Sequence, residues 1–169
     1  REGPLGPGSV QLWVETDGAT APAGGLVDVV PADEVRDGWL PVVHAEDEEG
    51  RPLVVVHADD DRLRSLAVLD VVIDNADRKA AHVGVAGHRL WGFDHGLCLN
   101  AAPKLRTVLW GWAGEELGAE SVARVRRVAE KVDAAGGELA RLLPAPDLAA
   151  LRVRLAGLLA EPRLPLPPA

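Results

Sequence analysis

Asp74-Asn75-Ala76-Asp77-Arg78-Lys79-Ala80-Ala81-His82 and, shortly after it, Gly92-Phe93-Asp94-His95-Gly96 are the segments whose reading decides the fold. Between them run two short apolar stretches, 82–85 and 90–93, joined through 86–89, which predicts a hairpin. A tight turn centred near His88 would pair 83 with 93, 84 with 92 and 85 with 91, and would set His82 opposite Asp94. Directly opposed residues on antiparallel strands have Cβ atoms about 4.5–5.5 Å apart and point to one face. A histidine and a carboxylate at the open end of a hairpin can then share one metal ion. Asp77 lies on the loop leading into His82, and loops mounted on rigid elements carry much catalytic chemistry.

Working outward, Asp59, Asp60 and Asp61 offer an N-cap and an acidic first turn. Leu63, Leu66, Ala67 and Ile73 follow at helical spacing, so a mostly buried helix is predicted over 61–74. Further upstream, Pro41 to Ala45 and Pro52 to His57 flank an acidic turn and read as a hairpin. Leu26 to Val30 is an apolar run, Val10 to Glu15 (VQLWVE) a strand candidate, and 1–9 a Gly/Pro-rich loop. Downstream, Val122, Val125, Ala129 and Val132 predict an amphipathic helix at about 119–135, closed by Gly136 and Gly137. Asp147 is expected to cap a last helix striped by Leu148, Leu151, Leu155 and Leu158. The tail over 161–169, ending PRLPLPPA, has polyproline composition and is expected to be disordered. Strands first and helices after give an α+β domain over 1–160, mostly helical toward the C-terminus.

A chain of 169 residues with 47% hydrophobic residues can bury one real core. No apolar run approaches the roughly 20 residues that span a bilayer, and no secretory leader pattern opens the chain. The expectation is a soluble cytoplasmic protein. With one cysteine, Cys98, an internal disulfide is excluded. The net charge of −8 is unevenly spread: residues 1–77 carry 5 basic and 17 acidic side chains, residues 78–169 carry 13 and 9. An acidic chain argues against nucleic-acid binding, while the mildly basic second half suits a phosphorylated ligand. Lysine occurs only at Lys79, Lys104 and Lys131 among many arginines, a usage that suggests a GC-rich bacterial, actinobacterial genome. The chain opens on Arg1 and holds no methionine, the expectation for a fragment of a longer product.

The two segments hold what phosphoryl transfer needs. One carboxylate orients the attacking hydroxyl, a cation offsets phosphoryl charge, and a carboxylate with a second ligand holds the metal that bridges the phosphates. In protein-kinase catalytic loops a lysine can follow the base at +2, and the metal-binding asparagine follows at +5. Lys79 and His82 hold those positions relative to Asp77.

The pattern resembles a known family. Asp77-Arg78-Lys79-x-x-His82 looks like the Asp-Arg-His-x-x-Asn loop of phosphatidylinositol 3/4-kinases, and Phe93-Asp94-His95-Gly96 looks like their Ile-Asp-Phe-Gly. Gly25-Leu26-Val27-Asp28-Val29-Val30-Pro31 resembles the Gly-Leu-Ile-Glu-x-Val segment after the hinge. Bacterial phosphatidylinositol-kinase-like proteins carry runs closely similar to DNADRK, DHG and KLRTVLWGWAG. The resemblance covers about Gln11 to Gly114. It implies a kinase-like large lobe with its hinge at about 10–31, and an ATP-dependent phosphotransferase acting on an unidentified hydroxyl acceptor. Asp77 and Lys79 would be the catalytic residues, His82 and Asp94 the ligands of Mg²⁺ or Mn²⁺, and Val14 and Glu15 the hinge contacts to the nucleotide.

Two departures stand out. His82 replaces the usual asparagine, and imidazole suits Mn²⁺ better than Mg²⁺, which prefers oxygen. No lysine lies upstream of the hinge, so most of the small lobe is expected to be missing and the isolated chain to bind ATP weakly or not at all. Two other readings compete: a catalytically inactive kinase-like binding module, and a metal-dependent hydrolase built on His82, Asp94, His95 and Asp77. Asp77 can form a loop salt bridge with Arg78 or Lys79. Asp74 and Asn75 can brace the loop, and His95 can pack beneath it. Lys104 and Arg106 would either receive substrate or pair with Glu115 or Glu116. Trp110 and Trp112 read as packing residues, and His44, His57 and His88 lack metal-site spacing.

Overall fold

The computed structural model describes residues 2–4, 6–7, 13–16, 25–134 and 138–168. At the start, β1 (Glu2–Gly3) and β2 (Gly6–Pro7) form a minimal antiparallel pair. A three-stranded antiparallel sheet follows, with β5 (Pro52–Ala58) between β3 (Val27–Pro31) and β4 (Trp39–Glu46). Its valine-rich runs suit a pleated surface. The β4–β5 turn is built by Asp47, whose Oδ1 accepts the N–H groups of Glu49 (3.0 Å) and Arg51 (2.8 Å). Gly50 supplies the positive φ of 75°.

Helix α1 (Asp61–Ile73) starts at Asp60, whose Oδ1 accepts from the N–H of Arg62 at 2.8 Å. It ends at Asp74, which takes the left-handed conformation with φ 52°. The rest comprises the hairpin β6 (Val83–Ala86) and β7 (Arg89–Gly92), then α2 (Ala119–Asp133), α3 (Glu138–Leu142) and α4 (Ala145–Ala160). Leu63, Leu66, Ala67, Val68 and Val72 of α1 pack with Leu109, Trp112, Val125, Val132 and the α4 stripe Leu148, Leu151, Leu155 and Leu158 in one core. The molecule is mixed α+β, with small antiparallel sheets before and beside a helical body.

Several expectations shift. Residues 13–15 of the expected first strand have no regular structure, and 10–12 lie outside the described residues. The last helix begins at Ala145, so Asp147 sits within its first turn and does not cap it; Pro144 holds the cap position. The start of the Pro-rich tail is docked, because its backbone completes unpaired groups of 114–117. Leu117 N–H donates to Pro162 O (2.7 Å), Leu164 N–H to Glu115 O (2.9 Å) and Gly114 N–H to Leu164 O (3.0 Å). Leu164 itself is buried in the core. The hairpin pairs Val83 with Gly92, Gly84 with Trp91, Val85 with Leu90 and Ala86 with Arg89. This corrects the expected register by one residue. The turn is the two-residue Gly87–His88 rather than one centred on His88, and Gly87 has φ 59°.

His57 ties the sheet to the helical body. It is fully buried, with its ring 4.3 Å from that of Trp112. The Ala58 carbonyl only accepts, so Nδ1 carries the proton (3.0 Å) and Nε2 accepts from the Gly111 N–H (3.0 Å). A second proton would expel that N–H into an apolar site. Burial holds the imidazole below its ordinary 6.5, against the opposing pull of Asp59. The unfolded chain therefore takes up a proton more readily, and the stability from His57 is fully present above about pH 6.5 and lost as pH falls below it. Urea unfolding at pH 7.5 and 5.5 checks this: His57→Gln is expected to flatten the loss of stability between the two.

Candidate active site

The candidate residues sit on segments that α1 and its surroundings hold in place. After the left-handed Asp74, the loop 75–78 threads between two others. Ala76 N–H donates to Leu97 O, Arg106 N–H to Asn75 O and Arg78 N–H to Arg106 O, each at 2.9 Å. Arg78 also bridges Thr107 in parallel, strand-like fashion. Asp74 accepts the Lys104 N–H on both carboxylate oxygens (3.2 and 3.1 Å), and Asn75 Oδ1 accepts the Asp77 N–H (3.1 Å). Both brace the loop, as expected. From α4, Arg154 donates to Val72 O and Asn100 O, each at 3.0 Å, fixing the end of α1 against the loop after Asp94.

Asp77 and Lys79 face outward as an ion pair, Nζ to Oδ2 2.8 Å. The hydrogen bond from Lys79 holds the Asp77 carboxyl below the usual carboxylate range, with His82 and Arg106 adding to the effect. Asp77 is therefore ionised at neutral pH, as a group that accepts a proton must be. His82 closes a short 3₁₀ turn, Ala80–His82, and its Nε2 lies 3.6 Å from Asp94 Oδ2. The pair meets although the register sets Phe93, not Asp94, beside His82: Phe93 N–H donates to His82 O at 2.8 Å. Asp94 takes a positive φ of 49°, and this turn returns its carboxylate to the imidazole.

Thr16 places the expected hinge segment. A Cβ added to Gly84 would lie 2.5 Å from Thr16 Cγ2 and 2.9 Å from Phe93 Cε2. Thr16, next after Val14 and Glu15, thus packs against Gly84 and Phe93, and residues 13–16 have no regular structure.

Sequence reasoning missed Asp70 and the inward role of Arg78. The two side chains are fully buried and form an ion pair at 2.9 Å. A signal existed: Asp70 falls at helical spacing from Leu63, Leu66 and Ile73, a charge inside an apolar stripe. His95 does not pack beneath the loop; it is solvent-exposed, with Nε2 turned in to Arg78 Nη2 at 2.9 Å. Although the residue is exposed overall, desolvation of its inward-turned ring, followed by the Arg78 charge, holds the His95 imidazole below its ordinary range. Glu115 pairs with Arg64 and Glu116 with Arg163, so neither engages Lys104 or Arg106. Burial pushes the Cys98 thiol up to about 11, and it is no nucleophile at neutral pH.

His82 and Asp94 supply one nitrogen and one oxygen donor. Among the described residues no group of three or more His, Cys, Asp or Glu is placed to hold a metal. Two donors suit an ion that completes its shell with phosphate oxygens and water, and they do not suit a hydrolytic metal held by three protein ligands.

The chain is a mixed α+β domain in which the Asp77–Lys79 ion pair lies on the loop that leads into the His82–Asp94 contact. Protein Rv2133c of Mycobacterium tuberculosis (strain ATCC 25618 / H37Rv) is 46% identical over 178 aligned residues, covering 99% of this chain and 63% of its own length. The chain thus spans a little under two thirds of that relative, whose name states no activity. No family model matches the chain, and no solved structure matches it. Among the described residues no helix is long and apolar enough to cross a membrane.

Proposed function

We propose that this chain is the catalytic lobe of an ATP-dependent phosphotransferase of atypical kinase type, transferring the γ-phosphoryl group to a hydroxyl acceptor. The observation that carries the reading is the 3.6 Å approach of His82 to Asp94, with the Asp77–Lys79 pair on the adjoining loop. A divalent ion between His82 and Asp94 would supply charge neutralisation on the nucleotide phosphates. Asp77 orients the acceptor hydroxyl and takes its proton. Its lowered pKa makes it a weak base, which suffices where little proton transfer precedes the loose transition state. Lys79 holds the Asp77 carboxylate in place and presents positive charge to the phosphoryl oxygens.

The metal is the part most open to test. Imidazole at the usual asparagine position favours an ion that accepts nitrogen, so Mn²⁺ is expected to support more turnover than Mg²⁺. His82→Asn is expected to keep the site and move the preference toward Mg²⁺. Initial rates of γ-phosphate transfer or release at matched Mn²⁺ and Mg²⁺ concentrations measure it. Full activity with unchanged metal preference in His82→Ala would make His82 a structural residue. Tight nucleotide binding without any turnover would favour the inactive binding module instead.

A further inference from the structure

We propose that Arg78 is the positioning residue of this site: its guanidinium closes the open end of the β6–β7 hairpin and so sets the approach of His82 to Asp94. What the site does is taken from the phosphotransfer reading; the geometric claim stands apart from it. Every N–H of the guanidinium has a partner. Nε donates to Asp70 Oδ1 and Oδ2 (3.2 and 3.1 Å), and Nη2 to Asp70 Oδ1 and His95 Nε2 (both 2.9 Å). Nη1 donates to His82 O at 3.2 Å and to Phe93 O at 2.8 Å.

The Nη1 fork is the decisive part. The last ladder pair is Val83 with Gly92. At the next position the backbone link is Phe93 N–H to His82 O at 2.8 Å. Arg78 adds a rung there, bridging the carbonyl of His82 to the carbonyl just before Asp94. A planar guanidinium anchored from behind holds two carbonyls at a more fixed separation than a flexible ammonium does, and Asp70 is that anchor. The same residue also fixes Asp77 and Lys79. Successive side chains of extended backbone point to opposite sides. At the strand-like bridge to Thr107, an inward Arg78 turns Asp77 and Lys79 outward as a pair. One buried cation thereby orients Asp77, Lys79, His82 and Asp94 without touching a substrate.

A role in stability alone makes a different prediction. A buried ion pair is often no more stabilising than apolar residues of similar volume, so losing it need not alter geometry in molecules that still fold. The test uses NMR of the imidazole resonances in the 169-residue chain. In the parent, Asp94→Asn is expected to shift the His82 ring signals, reporting their proximity. Arg78→Lys keeps a charge for Asp70 but lacks the fork. In its folded form the Asp94→Asn shift at His82 is expected to vanish, and Mn²⁺ with millimolar ATP to bind about 10–100-fold more weakly, the usual range for residues behind the ligands. Should Arg78→Lys not fold, Asp70→Asn/Arg78→Gln replaces the ion pair with neutral partners and serves the same comparison. A folded variant of either kind with the His82–Asp94 coupling intact would overturn the proposal. Loss of coupling in the variants, with no Mn²⁺ binding even in the parent, would uphold the positioning role and remove the phosphotransfer reading.

Discussion

Replacing Asp70 by alanine is expected to lower the stability of the chain by about 3–5 kcal/mol, the cost of leaving a buried charge without its partner. Asp70 is fully buried and accepts from Arg78, from Asn75 Nδ2 (3.0 Å) and from Thr107 Oγ1 (3.2 Å). Alanine removes every one of these acceptors at once and strands the Arg78 guanidinium where water cannot reach it. Small domains are stable by about 5–15 kcal/mol, so the loss is a large share of the total. Urea denaturation followed by tryptophan fluorescence measures it, since buried Trp112 reports on the core. A change below about 1 kcal/mol would mean that the pair is hydrated in solution.

The second large effect is on rate. Asp77→Asn is expected to reduce phosphoryl transfer by about 10²–10⁴-fold, the usual contribution of a positioned acid–base group. Mn²⁺ binding is expected to persist, because Asp77 is paired with Lys79 and lies outside the His82–Asp94 pair. The substitution is nearly isosteric, and the Asp77 backbone N–H still donates to Asn75 Oδ1. A parallel loss of metal affinity and rate would place Asp77 among the metal ligands and change its role.

How legible was this in the sequence? The α1 stripe and the α4 stripe were, because 3.6-residue periodicity survives any tertiary arrangement. So was the meeting of His82 with Asp94, though by a different route. The expected register was off by one residue, since turn length is set by backbone conformation at Gly87 and not by hydrophobic pattern. The left-handed turn at Asp94 then brought the carboxylate back. Such a φ in a non-glycine residue is not written in periodicity. The docking of Leu164 was equally invisible: a Pro-rich tail reads as solvated by composition, and its burial depends on where unpaired carbonyl and amide groups of 114–117 lie. Asp70 and Arg78 lay between these cases. A carboxylate on the buried stripe of α1 signals a partner, but only the fold shows that the partner is the arginine inside the motif.

The most direct measurement of the central claim follows γ-labelled ATP with Mn²⁺ at millimolar nucleotide, comparing the parent chain with Asp94→Asn. Phosphotransfer at this site predicts metal-dependent loss of label from ATP in the parent, and its disappearance in Asp94→Asn while the variant remains folded. Undiminished turnover in folded Asp94→Asn would contradict the assignment.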